Sequence, residues 1–128
     1  MIVIDTSAIL AFLFKEPGAD VVAPALPMGL LSAVDYAEVL CRFERDKLGS
    51  AISIALSLPK ALREVVPFDS KQAENAATIM MQTKQFGLSL GDRCCLALAM
   101  ERKCAVLTAD RIWLQLKLPA PVEIKSIR

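Results

Sequence analysis

The chain has 128 residues, 55% of them apolar, with 15 basic and 14 acidic side chains and no histidine. That length suits one domain spanning residues 1–128, and the apolar content excludes a disordered chain. The missing histidine excludes Ser-His-Asp and Cys-His catalysis, paired-histidine nucleases and histidine-containing zinc sites, while a net charge of +1 gives no global argument for a polyanionic partner.

The chain opens on a short β-branched run, Ile2-Val3-Ile4, expected as a buried strand. Asp5-Thr6-Ser7 precedes an apolar stretch ending at Phe14, the pattern of a helix start, and Pro17-Gly18 closes that helix. A second short helix is expected over Ala19–Leu26, interrupted by Pro24. Leu30-Leu31 reads as a strand, and Ser32 as the cap of a helix over Ala33–Lys47. A helix over Ala51–Ala61 and a strand at Val65-Val66 follow. Asp69-Ser70 caps a long helix running to Phe86, where Gly87 ends it. Ser89-Leu90-Gly91-Asp92 opens a very apolar helix, Arg93–Arg102. The strand Ala105–Leu107, a short helix around Ile112–Leu114 and a last strand, Val122–Ile124, complete the chain. Short apolar strands without alternation, separated by helices, indicate a parallel α/β sheet covered on both faces.

The longest uncharged stretch, Val21–Val34, is broken by Pro24 and Pro27 and falls short of the ~20 apolar residues a membrane span requires. The N-terminus lacks the basic lead of a signal peptide. Cys41, Cys94, Cys95 and Cys104 include no C-x-x-C pair, so reduced thiols in a cytoplasmic protein are expected rather than zinc.

Ligands of an open parallel sheet bind beyond the carboxyl ends of its strands. Asp5, Asp92 and Asp110 all fall at expected helix starts, and Glu38 lies one to two turns into the helix after the second strand. Each has a plain structural alternative. Asp5 and Asp110 are good helix caps, Asp92 suits the helix dipole, and Glu38 can pair with Arg42. Converged carboxylates must instead hold a proton or a cation. An oxygen donor set without histidine suits Mg²⁺ or Mn²⁺, whose chemistry with such ligands is attack of water on a phosphodiester.

Four segments then match a known pattern in order. They are Ile4-Asp5-Thr6-Ser7-Ala8, Ser32-Ala33-Val34-Asp35-Tyr36-Ala37-Glu38-Val39, Leu88-Ser89-Leu90-Gly91-Asp92-Arg93 with the apolar run after it, and Val106-Leu107-Thr108-Ala109-Asp110-Arg111. The chain resembles the PIN-domain ribonucleases, specifically the VapC-type toxins of prokaryotic type II toxin–antitoxin pairs. The resemblance implies a three-layer α/β/α fold with a short five-stranded parallel sheet. It implies a metal-dependent endoribonuclease binding Mg²⁺ or Mn²⁺ through Asp5, Glu38, Asp92 and Asp110, with Thr6, Ser89 and Thr108 as supporting hydroxyls. Products with 5′-phosphate and 3′-hydroxyl ends, an RNA substrate, an antitoxin partner and a homodimer are implied as well. Many relatives carry Asn where this chain has Asp35, on the same side of the helix as Glu38. Arg93 and Arg111, beside two of the acids, are candidate RNA-phosphate contacts.

Other classes fit less well. A haloacid-dehalogenase-like enzyme requires a second Asp two residues after the first, where this chain has Ser7, and a receiver domain places its acceptor Asp near mid-chain. A catalytically idle PIN domain that binds RNA or protein is the remaining alternative. Ile52, Ile54, Leu56, Leu58, Ile79, Met80 and Met81 are more apolar residues than one inward face needs, which suits either a buried core or a subunit interface.

Overall fold

The structure, a computed structural model, describes residues 1–128. Its strands are β1 (Ile2–Ile4), β2 (Gly29–Ser32), β3 (Glu64–Val66), β4 (Ala105–Thr108) and β5 (Ile124–Ser126). They form one five-stranded sheet in the order β3-β2-β1-β4-β5, and every pairing is parallel. The expected α/β class and strand number are therefore observed.

The helices are α1 (Thr6–Leu13), α2 (Ala19–Val22), α3 (Ala33–Arg45), α4 (Ile52–Leu56), α5 (Leu58–Ala61), α6 (Ser70–Thr78), α7 (Met80–Lys84) and α8 (Leu90–Arg102). Short 3-10 turns cover Ala23–Met28, Gly49–Ala51 and Arg111–Gln115. No helix is long and apolar enough to cross a membrane.

Alternation along the central strands makes two cores. Ile4, Leu31 and Leu107 face one side, against Ala8, Ile9, Val39 and Phe43 of α1 and α3. Val3, Leu30 and Val106 face the other, against Leu96, Leu98 and Ala99 of α8, with Ile79 and Trp113. Each face is covered, which is why these strands read as uninterrupted apolar runs.

Several boundaries differ from the sequence expectation. The helix over Ala51–Ala61 is divided at Ser57, whose hydroxyl donates to the Ile54 carbonyl at 2.6 Å. Pro59, lacking an N–H, follows directly and cannot continue the ladder of α4. The long helix breaks at Ile79 (φ −100°, ψ 9°), where the Thr83 hydroxyl donates to the Ile79 and Met80 carbonyls at 2.7 and 3.2 Å. The segment Ala19–Leu26 turns to 3-10 geometry at Ala23, with Pro24 and Pro27 inside the turn. β5 lies later than Val122–Ile124 because the ladder from β4 places Ile124 opposite Val106 and Ser126 opposite Thr108. Edge pairing on one side leaves little apolar signal from which to read that register.

Candidate metal centre

The chain leaves β1 toward β2 and β3 on one side and reaches β4 on the other. The boundary between β1 and β4 is thus the topological switch point, where an open parallel sheet forms its binding crevice. Asp5 sits at the carboxyl end of β1 there, 2% exposed, with its N–H donating to the Leu107 carbonyl of β4 at 2.9 Å.

Asp5 occupies the N-cap position of α1, yet its carboxylate caps nothing. Its Oδ2 accepts instead from the Ser7 hydroxyl at 2.5 Å and the Thr108 hydroxyl at 2.9 Å. Ser7 Oγ in turn accepts from the Ala109 N–H, and Thr108 Oγ1 from the Asp110 N–H, at 2.9 and 3.1 Å. This chain of hydroxyls fixes the carboxylate against the end of β4. Capping α1 is therefore not the main duty of the Asp5 carboxylate.

Burial pushes the Asp5 carboxyl up to about 6; the Ser7 and Thr108 hydroxyls hold it down and the Asp92 charge adds to the rise. Asp35, in the first turn of α3, is 0% exposed. Burial first, then the charges of Asp5 and Glu38, hold it well above the usual carboxylate range. Glu38, at the mouth of the pocket, is pushed up by partial burial and by Asp92. The same carboxylates thus recur as one another's neighbours, and Asp5, Asp35, Glu38 and Asp92 form one acidic pocket.

Asp92 is at the third position of α8. Its Oδ2 accepts from the Ser89 N–H at 2.9 Å, and the Ser89 hydroxyl accepts from the Asp92 N–H at 3.2 Å, a capping box. Ser89 thereby fixes the Asp92 side chain. Gly91 makes room for Glu38: a Cβ there would overlap Glu38 Oε1 and lie 2.7 Å from Cδ. Glu38 does not pair with Arg42, which binds Asp46 at 2.6 Å.

Asp110 stands apart. It is exposed, its Oδ1 caps the following 3-10 turn at Ile112 N–H, 3.1 Å away, and it joins the pocket only through Thr108. The Thr6 hydroxyl reaches the Asp35 carbonyl at 3.4 Å rather than a carboxylate. Arg93 donates to the Leu88 carbonyl and Arg111 to the Arg128 carbonyl, each at 3.0 Å.

The sequence reading passed over Ser7, Gly91 and the central position of Asp35. The Ser7–Asp5 bond is local, but the contacts that lock Ser7 against Thr108 and Ala109 span about a hundred residues, and nothing local in the sequence encodes them. It also passed over a groove of about 380 Å³ leading off the pocket, lined by Thr6, Leu10, Glu38, Cys41, Arg42 and Arg45.

The chemistry of the pocket's acids, carboxylate oxygens without histidine, suits a hard divalent ion. Ligand atoms of Asp5, Asp35 and Cys95 lie within 4.8 Å of one another. Burial, and then the Asp35 charge, push the Cys95 thiol up. A hard ion favours the carboxylate oxygens of Asp5 and Asp35 over the Cys95 sulfur.

Comparison with known proteins places this geometry. The PIN-domain family model matches residues 2–118. Among solved structures, FitAcB from Neisseria gonorrhoeae is 24% identical with a TM-score of 0.74, over 99% of this chain and 98% of that one. A toxin–antitoxin complex from Klebsiella pneumoniae is 17% identical with a TM-score of 0.74, over 100% and 98%. VapC20 of Mycobacterium tuberculosis, a sarcin-ricin loop cleaving toxin, is 15% identical with a TM-score of 0.76, over 94% and 100%. At these identities the likeness shows the fold. No curated protein sequence matches the chain. The family match runs from the first strand past Asp110 and takes in the entire acidic pocket, and the chain belongs to the PIN-domain family.

Proposed function

We propose that this protein is a metal-dependent endoribonuclease and the toxin of a type II toxin–antitoxin pair. The observation that carries the reading is the buried Asp5 carboxylate, held by the Ser7 and Thr108 hydroxyls among three further acids. Fold likeness to toxin–antitoxin proteins, one of them an RNA-cleaving toxin, supports it.

Asp5 and Asp92 would hold Mg²⁺ or Mn²⁺, with Glu38 and Asp110 completing the site. The ion supplies a bound water of lowered pKa and offsets charge on the scissile phosphate. The protein's own groups do the rest. Ser7 and Thr108 keep Asp5 Oδ2 fixed, and the capping box keeps Asp92 fixed. Glu38, its carboxyl raised by burial and by Asp92, is suited to take a proton from the attacking water. Arg42 and Arg45 line the groove past Glu38 and can exchange their solvent-accessible pairing with Asp46 for RNA phosphates, alongside Arg111.

An antitoxin chain would silence the site by placing a cation among the acids. A homodimer is supported by a second, apolar groove of about 470 Å³, lined by Phe68, Ala73, Ala76, Ala77, Met80, Leu90 and Arg93. Leu90 there is 63% exposed. A cytoplasmic location accords with this role.

The test is incubation of the purified chain, freed of any partner, with total RNA and Mg²⁺, Mn²⁺ or EDTA. Discrete cleavage that EDTA stops and Asp5→Asn abolishes supports the reading. Equal inertness of the wild type and Asp5→Asn with both metals, across several RNA pools, contradicts it.

A further inference from the structure

Asp35 and Asp92 occupy the same place in two helices. Each is the third residue after a serine N-cap, Ser32 for α3 and Ser89 for α8. An acid at that position usually reaches back to the N-cap N–H. Asp92 does so. Asp35 does not: the Ser32 hydroxyl accepts from the Val34 N–H, and both Asp35 oxygens are left without a hydrogen-bond partner although the residue is 0% exposed.

The surroundings offer only poor partners: the Cys95 thiol, and Glu38 if the two acids share a proton. Asp5, Glu38 and Asp92 face Asp35 with like charge, and its nearest donor is the Cys95 thiol, a weak one. No basic side chain pairs with Asp35: Arg93 donates to the Leu88 carbonyl, and Arg42 and Arg45 to Asp46. A buried carboxyl group with no well-formed hydrogen bond and no counter-ion is strongly unfavourable, and a bound cation relieves it.

We propose that Asp35 is a fifth carboxylate of the pocket and binds the divalent ion directly, from the floor of the site, together with Asp5. This rests on the metal-binding reading above and extends it. The ion-free protein is then strained at Asp35, and metal binding is coupled to stability more strongly than the four acids of the resemblance would make it. Removing the Asp35 charge has opposite effects on the two states. It relaxes the ion-free protein and weakens the metal complex.

The test compares wild type, Asp35→Asn and Asp35→Ser as full chains, by thermal unfolding in EDTA and by calorimetric titration with MnCl₂ without RNA. Asp35→Asn, nearly isosteric, is expected to raise the Tm in EDTA by several degrees and to weaken Mn²⁺ affinity at least 10-fold. Asp35→Ser, which removes the charge with a smaller side chain, should weaken Mn²⁺ to the same extent. Asp20→Asn, an exposed acid of α2, controls for loss of any negative charge and should change neither quantity. A lower Tm in EDTA for Asp35→Asn with unchanged Mn²⁺ affinity overturns the proposal and makes Asp35 structural. Wild type and Asp35→Asn binding Mn²⁺ equally overturns it while leaving the metal nuclease intact. No Mn²⁺ binding by wild type overturns both.

Discussion

At the scale of single residues, the pocket depends on where hydroxyls and a missing side chain lie. Gly91 leaves the space that Glu38 fills. Gly91→Ala would displace the flexible end of Glu38 rather than backbone, and Ala gains about 1 kcal/mol over Gly in a helix. The variant should therefore fold with little change in Tm, yet lose about 10-fold or more in RNA cleavage. Unchanged cleavage would show that the position of Glu38 does not matter. Asp5 gives a pH prediction. Its carboxyl is raised from 3.8 to about 6 in the folded protein. Below 3.8 it is protonated in both folded and unfolded chains and contributes nothing. Between 3.8 and 6 the folded state binds more protons, so stability falls as pH rises, and the loss persists above 6. The gain in stability of Asp5→Asn over wild type in EDTA should grow from pH 4 to pH 7, by on the order of 3 kcal/mol. Urea unfolding at the two pH values measures it, and a gap independent of pH contradicts the assignment.

Elements matter because the five acids arrive on four different ones. β1 brings Asp5, α3 brings Asp35 and Glu38, α8 brings Asp92, and the turn after β4 brings Asp110. The strand and helix starts that carry them were legible in the sequence, since Asp, Ser and Thr before apolar runs mark helix N-termini. What each carboxylate does there was not. Asp5 and Asp92 both lie at helix starts, yet only Asp92 bonds into its cap. That choice is made by residues distant in the chain, such as Thr108 for Asp5. Breaks at Ser57 and Ile79 were missed for a related reason. Helical periodicity continues through them, while a proline N–H vacancy and a threonine back-bond end the ladder locally. Asp110 has two possible duties, and its element separates them. Asp110→Ala should cost about 1 kcal/mol through the lost cap, and Asp110→Ser should recover that stability. If Asp110 acts on the substrate or its metal, both variants lose cleavage alike. Recovery of cleavage by Asp110→Ser would reduce Asp110 to a cap.

For the whole molecule, parallel pairing with β1 at the centre makes the rest possible. The sheet order sends the chain away from β1 on both sides, so Asp5 meets the end of β4 at the switch point without any long-range motif. The class of fold followed from short apolar strands between helices. The order of strands did not, because no single strand's pattern encodes its neighbour. The apolar groove between α6 and α8 belongs to this scale too. If it is the homodimer surface, light scattering should give twice the chain mass for wild type and the chain mass for Leu90→Glu. The most direct test of a metal-activated water as nucleophile is the chemistry of the cut ends. Cleaved RNA should carry 5′-phosphate and 3′-hydroxyl termini, and EDTA should stop their appearance. Termini with 2′,3′-cyclic phosphate, or cleavage that persists in EDTA, would contradict it.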